Sequence, residues 1–292
     1  MLIARSLLFV PANRPRMLDH AVDAAADVIV LDLEDSVPVA EKAAARETLR
    51  PAIERLKAAG KTVQVRINHL ETGFTREDLM AAVGPGLDSI AFPKAESAAQ
   101  IRELDVIIRE MELKSGVRPG TALLFPQIET ARGVLRCEDI AQASTRIAGL
   151  ACGGEDYTRD LGVARTRDGR ELDYLRRVLV HVCIAYGLLP LDTVFADFKD
   201  EAGLVAETEF VQSIGFKGKY LIHPIQIAPV NRAFTPTDDE IQLARIRLGA
   251  YDEALARGEG SVQVDGRMID EPVAQRARDL LDYARAVGAI SE

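Results

Sequence analysis

Five short clusters in this chain put acids beside basic or amide groups: Leu31-Asp32-Leu33-Glu34-Asp35, Arg66-Ile67-Asn68, Lys94-Ala95-Glu96, Gln127-Ile128-Glu129 and Gly153-Gly154-Glu155-Asp156. Each directly follows a short apolar run. A single acid in such a place ordinarily caps a helix or faces solvent, but five in succession form a pattern. Two carboxylates on neighbouring strands, with no His or Cys beside them, are the oxygen donors that hard Mg2+ takes while keeping positions for water and substrate. Glu129 and Asp156 are the candidate pair, with Asp156 preferred over the adjacent Glu155. Arg66 offers a planar fork of donors to a carboxylate or a developing enolate, and the same fork can pair with Glu34 or Asp35.

Other chemistries lose support. The chain contains no G-x-x-x-x-G-K-[ST], G-x-S-x-G, G-x-G-x-x-G or H-E-x-x-H. His20, His69, His181 and His223 make no pair at zinc-ligand spacing, and His181 reads as a packing or partly exposed side chain. Cys137, Cys152 and Cys183 form no C-x-x-C and read as free buried thiols. With 36 Lys+Arg against 45 Asp+Glu, the net charge of −9 argues against a nucleic-acid partner. The longest uncharged apolar stretch, residues 178–191, falls short of the roughly 20 residues a membrane span needs. The opening MLIARSLLFVPANRP makes a poor secretory leader, so the cytoplasm is the expected compartment.

The elements that must position these clusters follow from the apolar period. Short apolar, β-branched runs recur at 6–10, 28–33, 62–67, 89–93, 122–126, 146–151, 189–195 and 220–223, several of them nearly continuous, as strands covered on both faces are, and helical patterns separate them. Ser97 caps one such helix, whose Ile101, Leu104, Ile108 and Met111 share a face before Gly116. Another carries the stripe Leu175, Leu179, Val182 and Cys183. Eight β-strand–helix units predict an α/β fold closed as a (β/α)8 TIM barrel, with the polar clusters at the carboxyl ends of its strands, where barrel enzymes keep their chemistry. The barrel is expected over residues 1–234. Residues 235–292 then read as a helix–hairpin–helix appendage: a capping box at Thr237 and Glu240, a type I′ turn at Asp265-Gly266, and a final helix from about Pro272. At that size the appendage is expected to lack a core of its own and to pack on the barrel or on a neighbour.

The segments RSLLFVPANRPRM, DVIVLDLEDSVP, VQVRIN, AFPKAE, FPQIETARGV, GGEDYTRDLG, GFKGKYLIHPIQIAPVN and DGRMIDEP occur in that order from Arg5 to Pro272. Together they resemble the citrate lyase β-subunit-like group of the HpcH/HpaI aldolase superfamily, which includes citryl-, citramalyl- and malyl-thioester lyases. The resemblance implies a Mg2+-dependent barrel that breaks or forms a carbon–carbon bond between a 2-keto acid and an acyl-CoA ester. It places Glu129 and Asp156 at the metal, Glu129 also against substrate, and Arg66 on the substrate and its enolate. Glu34 and Asp35 become supporting acids of the pocket. Asp270 becomes the catalytic acid, delivered from a neighbouring subunit's appendage in a homotrimer or dimer of trimers. From its residues alone Asp270 reads as a helix-entry acid before Pro272. Ala12 stands where the group's opening motif often has Gly, and Tyr157 where Leu often follows the acid. Lys217 and Lys219 are candidates for a CoA phosphate. A thioesterase on the same esters, an aldolase on free acids, and a citryl-acyl-carrier lyase subunit of a citrate lyase assembly are the alternatives.

Overall fold

The structure is a computed structural model and describes residues 2–291. It divides into two compact units, residues 4–231 and residues 232–291 with residues 2–3. The larger unit is built on eight strands: β1 Ser6–Pro11, β2 Val28–Asp32, β3 Thr62–Arg66, β4 Ser89–Phe92, β5 Leu123–Ile128, β6 Gly149–Cys152, β7 Leu189–Asp192 and β8 Gly218–Leu221. They are parallel in sequence order, and β8 returns to pair with β1, with Ser6 opposite Lys219. The barrel is closed, as the eight apolar runs require. Helices α1 Pro15–Ala21, α2 Lys42–Ala58, α3 Thr75–Ala82, α4 Ala98–Lys114, α5 Ala131–Leu135, α6 Cys137–Ala141, α7 Gly154–Leu161, α8 Asp173–Ala185 and α9 Glu201–Ser213 fill the crossovers, and α10 Ile227–Phe234 follows β8.

Side chains on a strand alternate between faces, and here the two faces have different tasks. Ile29, Leu31, Val63 and Val65 point outward and are fully buried under the helices. On the inner face Leu7, Val28, Val30, Phe125, Ala151, Leu191 and Tyr220 pack as one cluster. Continuing the same period toward the carboxyl ends, the inner positions turn polar at Asp32, Gln64, Arg66 and Gln127. The helix signals hold as well: Ser97 and Gln100 form a reciprocal capping box on α4, whose Ile101, Leu104, Ile108 and Met111 are buried.

Strand boundaries moved where backbone packing overrode propensity. β8 starts at Gly218, two residues before the apolar run, because a Cβ there would lie 1.7 Å from the Ala4 carbonyl oxygen and only glycine lets the chains pair. β6 starts at Gly149, since Arg146 is taken up by Glu112 and Asp105 and Ile147 makes only an isolated bridge to Leu124. β7 stops at Asp192 rather than running to 195.

That stop marks a buried charge network the sequence did not reveal. Asp192 accepts from Arg176 Nε at 2.9 Å and from Lys219 Nζ at 2.6 Å, while Glu207 takes Lys219 Nζ at 2.7 Å and Arg176 Nη2 at 3.1 Å. Arg176 breaks the apolar stripe expected of α8, and Lys219 lies at 0% exposure inside the wall. Lys219 therefore cannot meet a CoA phosphate from solvent; Lys217 is the exposed one of the two.

The second unit contains α11 Asp238–Ala256, the strands β9 Val262–Val264 and β10 Arg267–Ile269, and α12 Glu271–Ala286. Thr237 and Glu240 cap α11 reciprocally. Asp265 and Gly266 take φ of 49° and 77°, the left-handed pair a type I′ turn needs. Contrary to the expectation from its size, this unit has apolar clusters of its own. Ile241 and Ala244 of α11 meet Ala277, Leu281 and Ala284 of α12, and Tyr251 packs on Ile269 and Ala274.

Replacing Asp192 by Asn leaves two buried cations with one remaining acid, a change that ordinarily costs about 3–5 kcal/mol. Urea denaturation of Asp192→Asn should show a stability loss in that range with an unchanged m-value; a loss below about 1 kcal/mol would mean the network is not stabilising as paired.

Candidate functional site at the carboxyl ends of the barrel strands

In register, Asp32 is the direct neighbour of Arg66 across β2 and β3. Both project inward at the last position of their strands, so the guanidinium and carboxylate meet edge to edge. Arg66 Nε donates to Asp32 Oδ1 at 2.7 Å and Nη2 to Oδ2 at 2.8 Å, a two-point clamp. Asp32 also accepts from the backbone N–H of Glu34 and Ser36 and from the Ser36 hydroxyl. Burial by itself would push the Asp32 carboxyl up; the Arg66 guanidinium overrides that and holds it at about 2. The same partners raise Arg66 far above any accessible pH, against burial. The guanidinium carbon lies over the Phe9 ring, 4.4 Å from its centre, and Phe9 stacks on Tyr220 at 4.9 Å. Tyr220 is tied in turn by its hydroxyl to Gln64 at 2.8 Å. Aromatic floor and carboxylate wall together fix the direction of the arginine.

Glu34 reaches Arg66 Nη1 at 3.1 Å and Lys94 Nζ at 3.1 Å, and burial pushes its carboxyl up against the pull of both cations. Asp35 lies 3.5 Å from Arg66 Nη1 with its side chain 61% exposed. The arginine thus does pair with Glu34 and Asp35, but its principal partner is Asp32, which register rather than residue type selects.

Glu129 follows β5 directly and is buried. Its Oε1 accepts from the Lys94 backbone N–H at 2.6 Å. Gly153, after β6, gives the carboxylate its room: a Cβ there would lie 1.9 Å from Glu129 Oε2. Burial, then the charge of Asp156, push the Glu129 carboxyl up to about 8, with Lys94 pulling the other way. Asp156, in the first turn of α7, meets Lys94 Nζ at 3.2 Å and Arg159 Nη2 at 2.6 Å. Its neighbour Glu155 is 55% exposed and pairs with Arg165. Burial would lower the Lys94 ammonium, but Glu34 and Glu129 reverse the direction and raise it.

Asp32, Arg66, Glu129 and Asp156 line one cavity of about 380 Å³, with Gln127 on its wall. Among the described residues the buried Gln127 Oε1 has no hydrogen-bond partner. The described residues hold no cluster of three or more His, Cys, Asp or Glu fit to enclose a metal. The Glu129–Asp156 pair is therefore an open, two-carboxylate site, able to take a hard cation only if water and substrate complete the shell. Asp270 belongs to the second unit, where its Oδ1 accepts from Val273 N at 3.2 Å and caps α12.

Sequence reasoning passed over Asp32 as the clamp on Arg66, Lys94 as a bridge, Gly153 as the space for Glu129, and Phe9 and Tyr220 as the floor. Counting inward positions on β2 and β3 would have found the first.

A closed parallel barrel with acids and one clamped arginine at its carboxyl-end mouth defines a barrel enzyme of acid–base and anion-stabilising type. The chain belongs to the HpcH/HpaI aldolase/citrate lyase family, whose pattern matches residues 5–224. Citrate lyase subunit beta of Leuconostoc mesenteroides subsp. cremoris is 40% identical over 284 residues, 97% of this chain and 94% of that protein. L-malyl-CoA/beta-methylmalyl-CoA lyase of Cereibacter sphaeroides is 34% identical over 305 residues, 98% of this chain and 96% of the other. Among solved structures, CitE of Mycobacterium tuberculosis in complex with magnesium, acetoacetate and coenzyme A superimposes with a TM-score of 0.77 at 34% identity, over 97% of this chain and 98% of that one.

Two predictions follow from this geometry. Gly153→Ala should displace the Glu129 carboxylate and lower activity by about 100-fold or more while circular dichroism stays native; full activity would show that Glu129 does not need that space. Because Asp32 sits at about 2 in the folded chain, below its ordinary 3.8, its contribution to stability is complete above pH about 4 and disappears as pH falls through about 2. The acid-unfolding curve of Asp32→Asn should be flatter than the wild-type curve over that window, and coincident slopes would count against the clamp.

Proposed function

We propose that this chain is a Mg2+-dependent carbon–carbon lyase. Its substrate is a 3-hydroxy-dicarboxylic acyl-CoA such as citramalyl-CoA or malyl-CoA, which it cleaves to a 2-keto acid and an acyl-CoA or forms in reverse. The observation that carries this reading is one cavity that holds Asp156 and Glu129, a buried carboxylate whose close donor is a backbone N–H, beside an arginine clamped on one edge by Asp32. The relatives support it, being named for citrate lyase and malyl-CoA lyase activities, and the M. tuberculosis structure held magnesium with coenzyme A.

The donors fit the ion. Glu129 and Asp156 offer carboxylate oxygens in a cavity that no described histidine lines, and the repulsion that Asp156 exerts on the buried Glu129 is what a divalent cation relieves. These two residues would hold it. When bound, Mg2+ supplies Lewis acidity to the hydroxy-acid end of the substrate.

The remaining work belongs to the chain. Cleavage passes the hydroxyl proton to a pocket carboxylate, Glu34, whose proton affinity burial raises, breaks the bond between the carbinol carbon and the carbon next to the thioester, and leaves that electron pair as an enolate. Arg66 holds the enolate oxygen with N–H groups not spent on Asp32, at a position fixed before substrate arrives, so little reorganisation is needed. Asp270 gives a proton to the enolate carbon in cleavage and takes one from the acyl-CoA in condensation. The second unit carries Asp270 and is read as a cover over the site of the same or a neighbouring subunit in a homotrimer or dimer of trimers, closing it to water. No described helix is long and apolar enough to cross a membrane; cytoplasmic placement fits a CoA substrate. A second reading, a subunit that cleaves a citryl group while an acyl carrier holds it, draws on the likeness to citrate lyase subunit beta.

Purified protein incubated with malyl-, citramalyl- and citryl-CoA should release keto acid and acetyl-CoA in equal amounts from at least one, and chelation of Mg2+ should stop it. Free thiol with intact hydroxy acid would identify a thioesterase, and turnover only on an acyl carrier would identify the citrate lyase subunit. Arg66→Met should cost about 10²–10³ in kcat. Mixing inactive Arg66→Met with inactive Asp270→Asn should restore part of the activity if the acid comes from a neighbour; no restoration in mixed oligomers would place Asp270 in its own chain's site or outside the reaction.

A further inference from the structure

We infer that Lys94 is the resident cation of the acidic rim: its ammonium supplies, between Glu34 and Asp156, part of the positive charge that Mg2+ brings, and so sets how tightly the ion is held. This rests on the metal reading of Glu129 and Asp156 above and extends it to a residue outside the ligand pair.

Three observations carry it. The Lys94 ammonium bridges Glu34 Oε1 at 3.1 Å and Asp156 Oδ2 at 3.2 Å, joining the ends of β2 and β6 from a position just past β4. Its own backbone N–H holds Glu129 Oε1 at 2.6 Å, so one residue touches every unclamped acid of the cavity rim that is buried or nearly so. Finally, Lys94 sits at φ 49°, and among the described residues it shares a positive φ without being glycine only with Asp265 in the hairpin turn. That conformation is unfavourable for a residue that bears a side chain, a cost glycine would avoid. Glycine would keep the N–H to Glu129; what it would lack is the ammonium.

Other cations are less suited to the task. Arg159 also reaches Asp156, but its side chain is 73% exposed against 26% for Lys94, so solvent screens it far more. Arg66 reaches Glu34 through Nη1 but is held along its other edge by Asp32. A lysine is a point charge on a flexible stem, able to withdraw from Asp156 when a stronger cation enters while keeping Glu34. Removing it makes the rim more negative. Apo protein should lose stability and Mg2+ should bind more tightly, a direction that mere damage to the site does not produce.

The test is calorimetric titration of the intact protein with MgCl2, with melting temperature measured with and without the ion. Lys94→Met and Lys94→Gly should each bind Mg2+ about tenfold more tightly than wild type, melt lower without metal, and gain more on adding it. Lys94→Arg, which keeps the charge, should stay within about twofold of wild type. Lys94→Gly relieves the backbone and retains the amide, so it carries the test if Lys94→Met fails to fold. Saturable Mg2+ binding by wild type with equal or weaker binding by both uncharged variants overturns the role of the lysine alone. A wild type without saturable Mg2+ binding overturns the metal reading, and this inference with it.

Discussion

Asp32, Glu34, Glu129 and Asp156 are brought to one mouth of the barrel, largely out of water, and their repulsion must be offset there. This is the constraint on which the rest of the site depends. Isolated buried carboxylates either recruit cations or take up protons, and the site shows both outcomes. Asp32, clamped on two sides by Arg66, stays ionised at about 2, whereas Glu129, whose nearest donor is a backbone amide, is pushed to about 8. The contrast separates an acid whose charge is consumed in orienting the arginine from an acid whose charge burial opposes.

The barrel wall below the mouth applies the same rule without chemistry. Arg176, Asp192, Glu207 and Lys219 are buried together between β7, β8 and the helices α8 and α9, both acids taking both cations, with Arg165 a third for Glu207 at 3.8 Å. Glu112 and Arg146 do likewise at the far end of β5 and β6, where Glu112 also accepts from the Gly120 and Ala122 amides. In these networks each acid has a close side-chain cation, whereas at the mouth the close donor of Glu129 is a backbone N–H. Imbalance, rather than the presence of buried charge, is what marks the functional end.

Most of the fold could be read directly. Apolar runs that stay apolar for four to six residues permit only strands covered on both sides, and Ser97, Thr237 and Asp265-Gly266 declare two helix starts and a turn by local chemistry. Errors came where a residue's partner is distant in sequence. Lys219 looks like a loop lysine until Asp192 and Glu207 are placed beside it, and Arg176 interrupts an apolar stripe because β7 offers it a carboxylate. The start of β8 at Gly218 depends on the approach of the Ala4 carbonyl, which no local pattern encodes.

By itself the sequence determined the eight-fold alternation, the end of the strands at which the chemistry gathers, and which residue types are present there, because these depend on short-range period and composition. Only the tertiary structure decided that Asp32 rather than Glu34 or Asp35 is the main hold on Arg66, and that Lys94 joins three acids from three different crossovers. The reason is geometric. Strand register and barrel closure convert separations of tens of residues into contacts of about 3 Å, and charge–charge interaction at that range, in a place shielded from water, outweighs any local preference the chain carries.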